Sequence, residues 1–214
     1  MLTLLSDFYE ESDPARRAEL LECCRRNVEL AAFGAVYLFL EDRTTPEGAR
    51  LLCPELRHPK VTLVPFGRRV TFGEYFGFAN RLDGVHRCVL ANADIYFDAS
   101  LGALDDYSLQ DRLLCLSRWD VQPDGSERLF TNPFSQDAWI FETPLRLPTR
   151  ACRFTLGVLG CDSRLARVAI KAHLRVSNPS RTIRAHHLHL SGLRRYARHE
   201  RVRGSYHAVP AREL

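Results

Sequence analysis

Apolar residues in this chain come in short runs that end abruptly in polar ones. Leu2 to Leu5 is the first run, and its length predicts a strand. Asp13-Pro14 then offers an N-cap followed by proline at the first helical position. Leu20, Leu21, Cys24 and Val28 recur behind it at helical spacing. "GAVYLFLED" (34–42) and "VTLVPF" (61–66) are rich in branched and aromatic residues and predict strands two and three. Thr71-Phe72-Gly73-Glu74 has the form of a capping box and predicts a helix to about Leu82. "RCVLA" (87–91) predicts the fourth strand. "LLCLSRW" (113–119) and "AWIFE" (138–142) predict two more, with a turn-rich polar stretch between them. From Asp162 to Ala172, Leu165, Val168, Ala169 and Ala172 share one helical face, and "RTIRAHHLHLS" (181–191) ends the regular pattern. Strands alternate with helices in the first half, which predicts an α/β fold with a largely parallel sheet. The second half is more mixed.

Composition narrows this picture. The chain has 214 residues, 45% of them hydrophobic, which suits one compact domain or one with a small appendage. No stretch approaches the roughly 18–20 apolar residues of a membrane span. The start, "MLTLLSDFYEES", lacks a basic n-region and turns acidic at once, so it is expected as the first strand rather than a signal peptide. The seven cysteines are irregularly spaced with no C-x-x-C pair, which argues against a zinc ribbon. Cys88 and Cys115 sit in apolar runs and read as small core residues. This cysteine usage points to a reducing cytoplasm.

The net charge of +4 is unevenly spread. Between Arg181 and Arg203 there are seven arginines and four histidines, with Glu200 as the only acid. Such a segment suits a nucleic-acid surface, a diphosphate-neutralising patch or a solvated tail.

The candidate chemistry begins where the fourth strand ends. Asn92, Asp94 and Asp98 fall within seven positions of "LANADIYFDAS". In an extended segment, side chains two apart share a face, so Asn92 and Asp94 point together, with Asp98 joining if the extension continues. Hard divalent cations take oxygen ligands, usually one or two carboxylates plus substrate phosphate oxygens. Asn and Asp also end strands as turn residues. In open α/β sheets, however, ligands bind beyond the carboxyl ends of the strands, where this segment lies.

Downstream, His187 and His189 alternate and share one face of an extended segment, with His186 and Leu188 on the other. Imidazole suits Mn²⁺ better than Mg²⁺; the plainer reading is a pair of structural histidines. Asp162 stands directly before an amphipathic helix and fits an N-cap. Arg118-Trp119-Asp120 lies at another carboxyl end and is placed to line the same crevice, although Trp119 suits core packing equally.

Taken in order, these segments resemble a small GT-A-type glycosyltransferase, a fold that binds nucleotide-diphosphate sugars. The resemblance covers nearly the whole chain, through motifs that are each short. It implies a single GT-A-like, Rossmann-like domain over 1–214, with a central mixed, mostly parallel sheet flanked by helices. A nucleotide-binding half would span about 1–98, and an acceptor and metal half about 99–214. "NADIYFD" takes the place of the family's D-x-D motif, which holds Mn²⁺ or Mg²⁺ against the diphosphate. Asp94 then stands as the metal ligand. Asn92 stands where the family usually has an acid touching ribose or metal, a departure that removes a charge.

The resemblance extends to further residues. "LGVLGCDSRLARVAI" (156–170) is similar to the segment opening a helix near the acceptor, with Asp162 in the place of the base of inverting members. "SQDAWIF" (135–141) is similar to the segment facing donor sugar or acceptor. It makes Asp137 a second catalytic candidate, with the Trp139 indole nearby for a sugar face. "HHLHLSGLRRY" (186–196) looks like the C-terminal segment that adds a histidine to the metal and basic residues to the diphosphate. His189, His187, Arg194, Arg195 and Tyr196 are its candidates, with Arg181 and Arg184 close by. Asp7 and Tyr9 after the first strand, Arg16 in the first turn of the helix, and Glu41 with Asp42 closing strand two are placed for base, ribose or phosphate.

The implied activity is transfer of a sugar from a nucleotide-diphosphate donor to a hydroxyl of a glycan or lipid-linked acceptor. The expected location is the cytoplasm, with room for peripheral contact with a membrane. A non-catalytic sugar-nucleotide binder is the main alternative, since Asn92 departs from the motif. Nucleic-acid binding through the basic tail is weaker: the tail has no reader motif and only Tyr196 and Tyr206 as stacking rings. A nucleotidyltransferase would need a glycine-rich phosphate loop after the first strand, and none is present.

Overall fold

The computed structural model describes residues 1–41, 44–193 and 201–214. In chain order the main elements are β1 (Leu2–Phe8), α1 (Pro14–Glu29), β2 (Phe33–Leu40), α2 (Pro46–Leu52), β3 (Val61–Pro65) and α3 (Phe72–Ala79). They continue with β4 (Arg87–Ala91), β5 (Ile95–Phe97), β6 (Arg112–Leu116), β7 (Arg118–Val121), β8 (Glu127–Leu129) and β9 (Ala138–Glu142). α4 (Cys161–Lys171), β10 (Arg175–Ser177) and β11 (Ala185–His187) complete the order.

Local chemistry sets the helix starts. Asp13 accepts the Arg16 N–H ahead of Pro14, and Thr71 with Glu74 forms the expected capping box. α3 ends at Ala79, earlier than the pattern predicts, where the Asn80 side chain turns to bond Leu145 in both directions. α4 differs more. Its N-cap is Gly160, at φ 81, so Asp162 lies inside the first turn rather than capping it.

Seven strands form the main sheet in the order β10-β6-β9-β4-β1-β2-β3. β9 runs antiparallel to both of its neighbours, and every other pairing is parallel. The expected mixed, mostly parallel α/β sheet is therefore present. Alternation along each buried strand feeds two cores. One face of the sheet packs Leu4, Leu38, Val89 and Ile140 with Val28 of α1 and Ala49 of α2. The other face packs Leu5, Phe39, Leu90 and Trp139 with Tyr75 of α3 and Leu165 of α4.

A second sheet, β5-β11-β7-β8, lies over the first core through Ile95, Phe97 and Ala185. "LLCLSRW" is thus not one strand. The chain breaks at Ser117 and passes from β6 in the main sheet to β7 in the small one. Ser117 N–H donates to buried Asn178 Oδ1 at 3.2 Å, which holds the break. β8 forms inside the stretch expected to be loop, as a hairpin partner of β7. Cys88 and Cys115 are fully buried, as expected, and all seven cysteines are free thiols. No helix among the described residues is long and apolar enough to cross a membrane.

Candidate metal and nucleotide site

The carboxyl ends of β1 and β4, the start of antiparallel β9 and the inner face of the small sheet converge on one crevice. Asp94 sits in the turn between β4 and β5 at its centre. The Leu188 N–H donates to the Asp94 carbonyl at 3.1 Å, which lays the segment after β11 across that turn. His187 Nε2 lies 3.2 Å from Asp94 Oδ2, and His189 Nδ1 lies 3.8 Å from it. The two histidines expected on one face both approach the predicted aspartate. Asp98 does not join them. It bonds the Ser100 N–H and faces His186 at 3.1 Å on the opposite side of the small sheet.

Arg16 completes the shell around Asp94. It donates to Asp94 Oδ2 at 2.5 Å, to Glu19 at 2.9 Å and to the Leu188 carbonyl at 3.1 Å. Glu19 in turn accepts from the N–H and hydroxyl of Ser191, so α1 holds the histidine segment in place. Burial works to raise the Asp94 carboxyl. The neighbouring His187 and His189 and the Arg16 charge outweigh it and hold Asp94 well below the usual carboxylate range.

His187 bridges two acids, with Nδ1 on Asp120 Oδ1 at 2.8 Å. Burial works to lower its pKa, but the Asp120 and Asp94 bonds push it up to about 9. Asp120 also accepts from Arg118 Nε at 2.7 Å, and Arg118 Nη1 donates to Asp137 Oδ2 at 3.1 Å. Asn92 Nδ2 donates to Asp137 Oδ1 at 3.0 Å. Asn92, Asp137, Arg118, Asp120, His187 and Asp94 therefore form a closed ring, since Asn92 and Asp94 are two residues apart in the chain. Arg118 and Asp120, expected to line the crevice, are integral to it. Trp119 faces the other way, donates to the Ser180 carbonyl and lies under Arg184. That position, with Glu127 as ion-pair partner, keeps Arg184 away from the crevice.

Asp137 has both carboxylate oxygens engaged. The expectation that Trp139 offers a sugar face fails, because its indole is fully buried edge-on against Phe72. Asp162 differs from Asp137. Burial and then the nearby Asp137 charge raise it, against bonds from Cys161 and the Gln136 N–H and the Arg118 charge, to about 7. Cys161 Sγ lies 2.8 Å from Asp162 Oδ1.

A cavity opens at the end of β1, lined among others by Asp7, Tyr9, Glu11, Arg17, Leu38 and Ala93. Ala93 joins its wall directly to Asn92 and Asp94. Burial raises Asp7 to about 6, and the Tyr9 hydroxyl is likewise raised by burial and by the charges of Asp7 and Asp94. Glu41 lies buried just past β2, its N–H on the Phe8 carbonyl, and is not among the residues lining the cavity. Arg194 lies outside the described residues, as do Asp42, Arg195 and Tyr196.

Three buried polar atoms around the crevice have no hydrogen-bond partner among the described residues: Asp7 Oδ1, Asn92 Oδ1 and His189 Nε2. Buried polar groups are normally paired, so each of these atoms has capacity for a ligand group or a water. Asp94, His187 and His189 offer three ligand atoms within 4.8 Å of one another. One carboxylate and two imidazoles fit a divalent transition ion better than Mg²⁺. Ligation requires the neutral imidazole, so an ion bound there would displace the His187 proton.

In sequence, no protein-family model and no curated protein matches the chain. Solved structures do match. A mannosyltransferase from Pyrobaculum calidifontis, PcManGT, in complex with GDP-Man and Mn²⁺, superposes with a TM-score of 0.53 over 87% of this chain at 16% identity. S. aureus TarS superposes with a TM-score of 0.50, also over 87% of this chain, at 13% identity. The chain spans 56% and 60% of those two chains, respectively.

Proposed function

We propose, from the GT-A glycosyltransferase fold that this chain shares with those structures, that it is a metal-dependent glycosyltransferase. It moves a sugar from a nucleotide-diphosphate donor to a hydroxyl of a glycan or lipid-linked acceptor. The observation that carries this reading is Asp94. Its carboxylate stands past β4 with two imidazoles beside it, next to a cavity at the end of β1. The PcManGT complex with GDP-Man and Mn²⁺ supports the same ligand classes.

In this reading the cavity holds the nucleoside, with Asp7, Tyr9 and Asn92 as its polar contacts. Arg16, bonded to Asp94, would contact the diphosphate from the first turn of α1. A Mn²⁺ or Mg²⁺ ion held by Asp94, His187 and His189 would stabilise charge growing on the leaving diphosphate. Asp162, near neutrality, suits the acceptor proton in an inverting reaction. It takes that proton as the acceptor oxygen attacks the anomeric carbon and the nucleoside diphosphate departs. Asp137, with both oxygens engaged, supports the crevice instead of acting as the base. The two chain halves, about 1–98 and 99–214, act as one domain, because ring members come from both.

The testing experiment is a thermal-shift screen of nucleoside diphosphates and their sugars, with and without Mn²⁺. A ligand that binds the folded state alone raises the melting temperature by mass action. A Mn²⁺-dependent shift with one nucleotide class is expected. No shift with any member of the panel contradicts the reading. Asn92 keeps a second reading open, a sugar-nucleotide binder without transfer. Calorimetry that finds binding with no donor consumption favours it.

A further inference from the structure

Asn92 occupies the position where the resembled motif carries an acid, and its amide is not free to turn. Nδ2 donates to Asp137 Oδ1 at 3.0 Å, and the Asn92 backbone N–H donates to the Asp137 carbonyl at 3.1 Å. Asp137 Oδ2 accepts from Arg118 Nη1 at 3.1 Å. Arg118 is fixed from two further sides, by Asp120 at 2.7 Å and by the Phe130 ring 4.1 Å below its guanidinium. Turning the amide over would set Asn92 Oδ1 against a carboxylate with no hydrogen between them. The network therefore dictates which way the amide points. Its Oδ1 is left buried and without a partner among the described residues, beside Ala93 of the cavity wall.

We propose that Asp137 and Arg118 are positioning residues that lock the Asn92 amide, so that Asn92 Oδ1 accepts a hydrogen bond from a ribose hydroxyl of the bound nucleotide. This rests on the sugar-nucleotide reading above. The carboxylate absent from position 92 has not vanished from the neighbourhood, since Asp137 supplies one from the start of β9. Aspartate at 92 is therefore no repair of the motif. It would place two carboxylates about 3 Å apart, a distance at which they cannot both ionise freely. Exchanging the two residues, as N92D together with D137N, restores the pairing. The amide nitrogen introduced by D137N donates to the carboxylate at 92, and the amide oxygen accepts from Arg118.

The experiment uses the full chain as wild type, N92D, D137N and the double variant N92D/D137N. The probe is GDP or UDP, whichever shifts the wild type more, and its dideoxyribose analogue, each with Mn²⁺. N92D is expected to melt lower than wild type and to bind the nucleotide about tenfold more weakly, and the double variant to recover both. Wild type should favour the ribose over the dideoxyribose form by about tenfold. In D137N the amide of Asn92 can turn, and the two forms should bind alike, a change that mere destabilisation would not produce. N92D as stable as wild type, or a double variant no better than N92D, overturns the lock. Unchanged ribose discrimination in D137N overturns its role toward the ligand. If neither nucleotide binds the wild type, the ribose contact is refuted, and the full nucleotide panel above decides the sugar-nucleotide reading. The melting temperatures alone then decide whether the lock exists.

Discussion

Asp162 shows how burial and one neighbouring charge set a side chain's chemistry. Raised to about 7, it is ionised above neutrality and protonated below it. As the proposed base it must be ionised, so kcat/KM is expected to fall as pH drops below about 7, and Asp162→Asn to lose about 10²–10⁴-fold in transfer. Initial rates across pH check both, and an unchanged acid limb in the variant contradicts the assignment. The same shift acts on stability. Between 3.8 and about 7 the folded chain holds a proton that the unfolded chain has released. Stability is therefore lost as pH rises through that window. Asp162→Asn, which cannot ionise, is expected to exceed wild type by about 4 kcal/mol at about pH 8, with the difference closing toward acid pH. Urea unfolding at two pH values measures this; equal stability at both removes the buried-carboxylate account. His187 and His189 were legible from their period-two spacing, and Asp94 from the resemblance of its segment to the D-x-D motif. Neither signal exposed the ring. Asp137's engagement by Asn92 and Arg118 depends on pairing across β4, β6 and β9, which no local pattern encodes.

The longer elements were legible because each carries its own signal. β1 to β4 and β9 are apolar runs within the main sheet, and α1 and α3 announce their starts with Asp13 and Thr71. β5, β8, β10 and β11 have three residues each, too few for alternation to register. They exist because neighbours already in place offer backbone partners. Ser117 is the instructive case: nothing in "LLCLSRW" marks a break, yet Asn178 makes one. Asn178 Nδ2 donates to Ser117 Oγ and to the Val209 carbonyl, each at 2.9 Å, and its Oδ1 accepts from Ser117 N–H. This buried side chain thus joins the β6–β7 corner, the end of β10 and the C-terminal segment. Asn178→Ala is expected to cost about 2–4 kcal/mol by leaving those groups unpaired. Denaturant unfolding with a loss under about 0.5 kcal/mol would show that the corner holds without it.

At the scale of the whole molecule, the two sheets divide the work. The main sheet sets Asp7, Asn92 and Asp137 at the end where β1 and β4 finish, and the small sheet brings Asp120 and His187 over them. α1 closes the arrangement through Arg16 and Glu19. Charges alternate along the resulting chain: Glu19, Arg16, Asp94, His187, Asp120, Arg118, Asp137. Such a fully paired network is costly to open at one point, because removing one member leaves its partners buried and unpaired. In the proposed function Asp94 is the member on which metal and nucleotide binding both depend. Calorimetric titration of Mn²⁺ with the best nucleoside diphosphate, into wild type and Asp94→Ala, tests that dependence most directly. The expected result is metal-dependent binding by the wild type that disappears in the variant while the fold persists by circular dichroism. Nucleotide binding by Asp94→Ala that still depends on Mn²⁺ and is undiminished would contradict it.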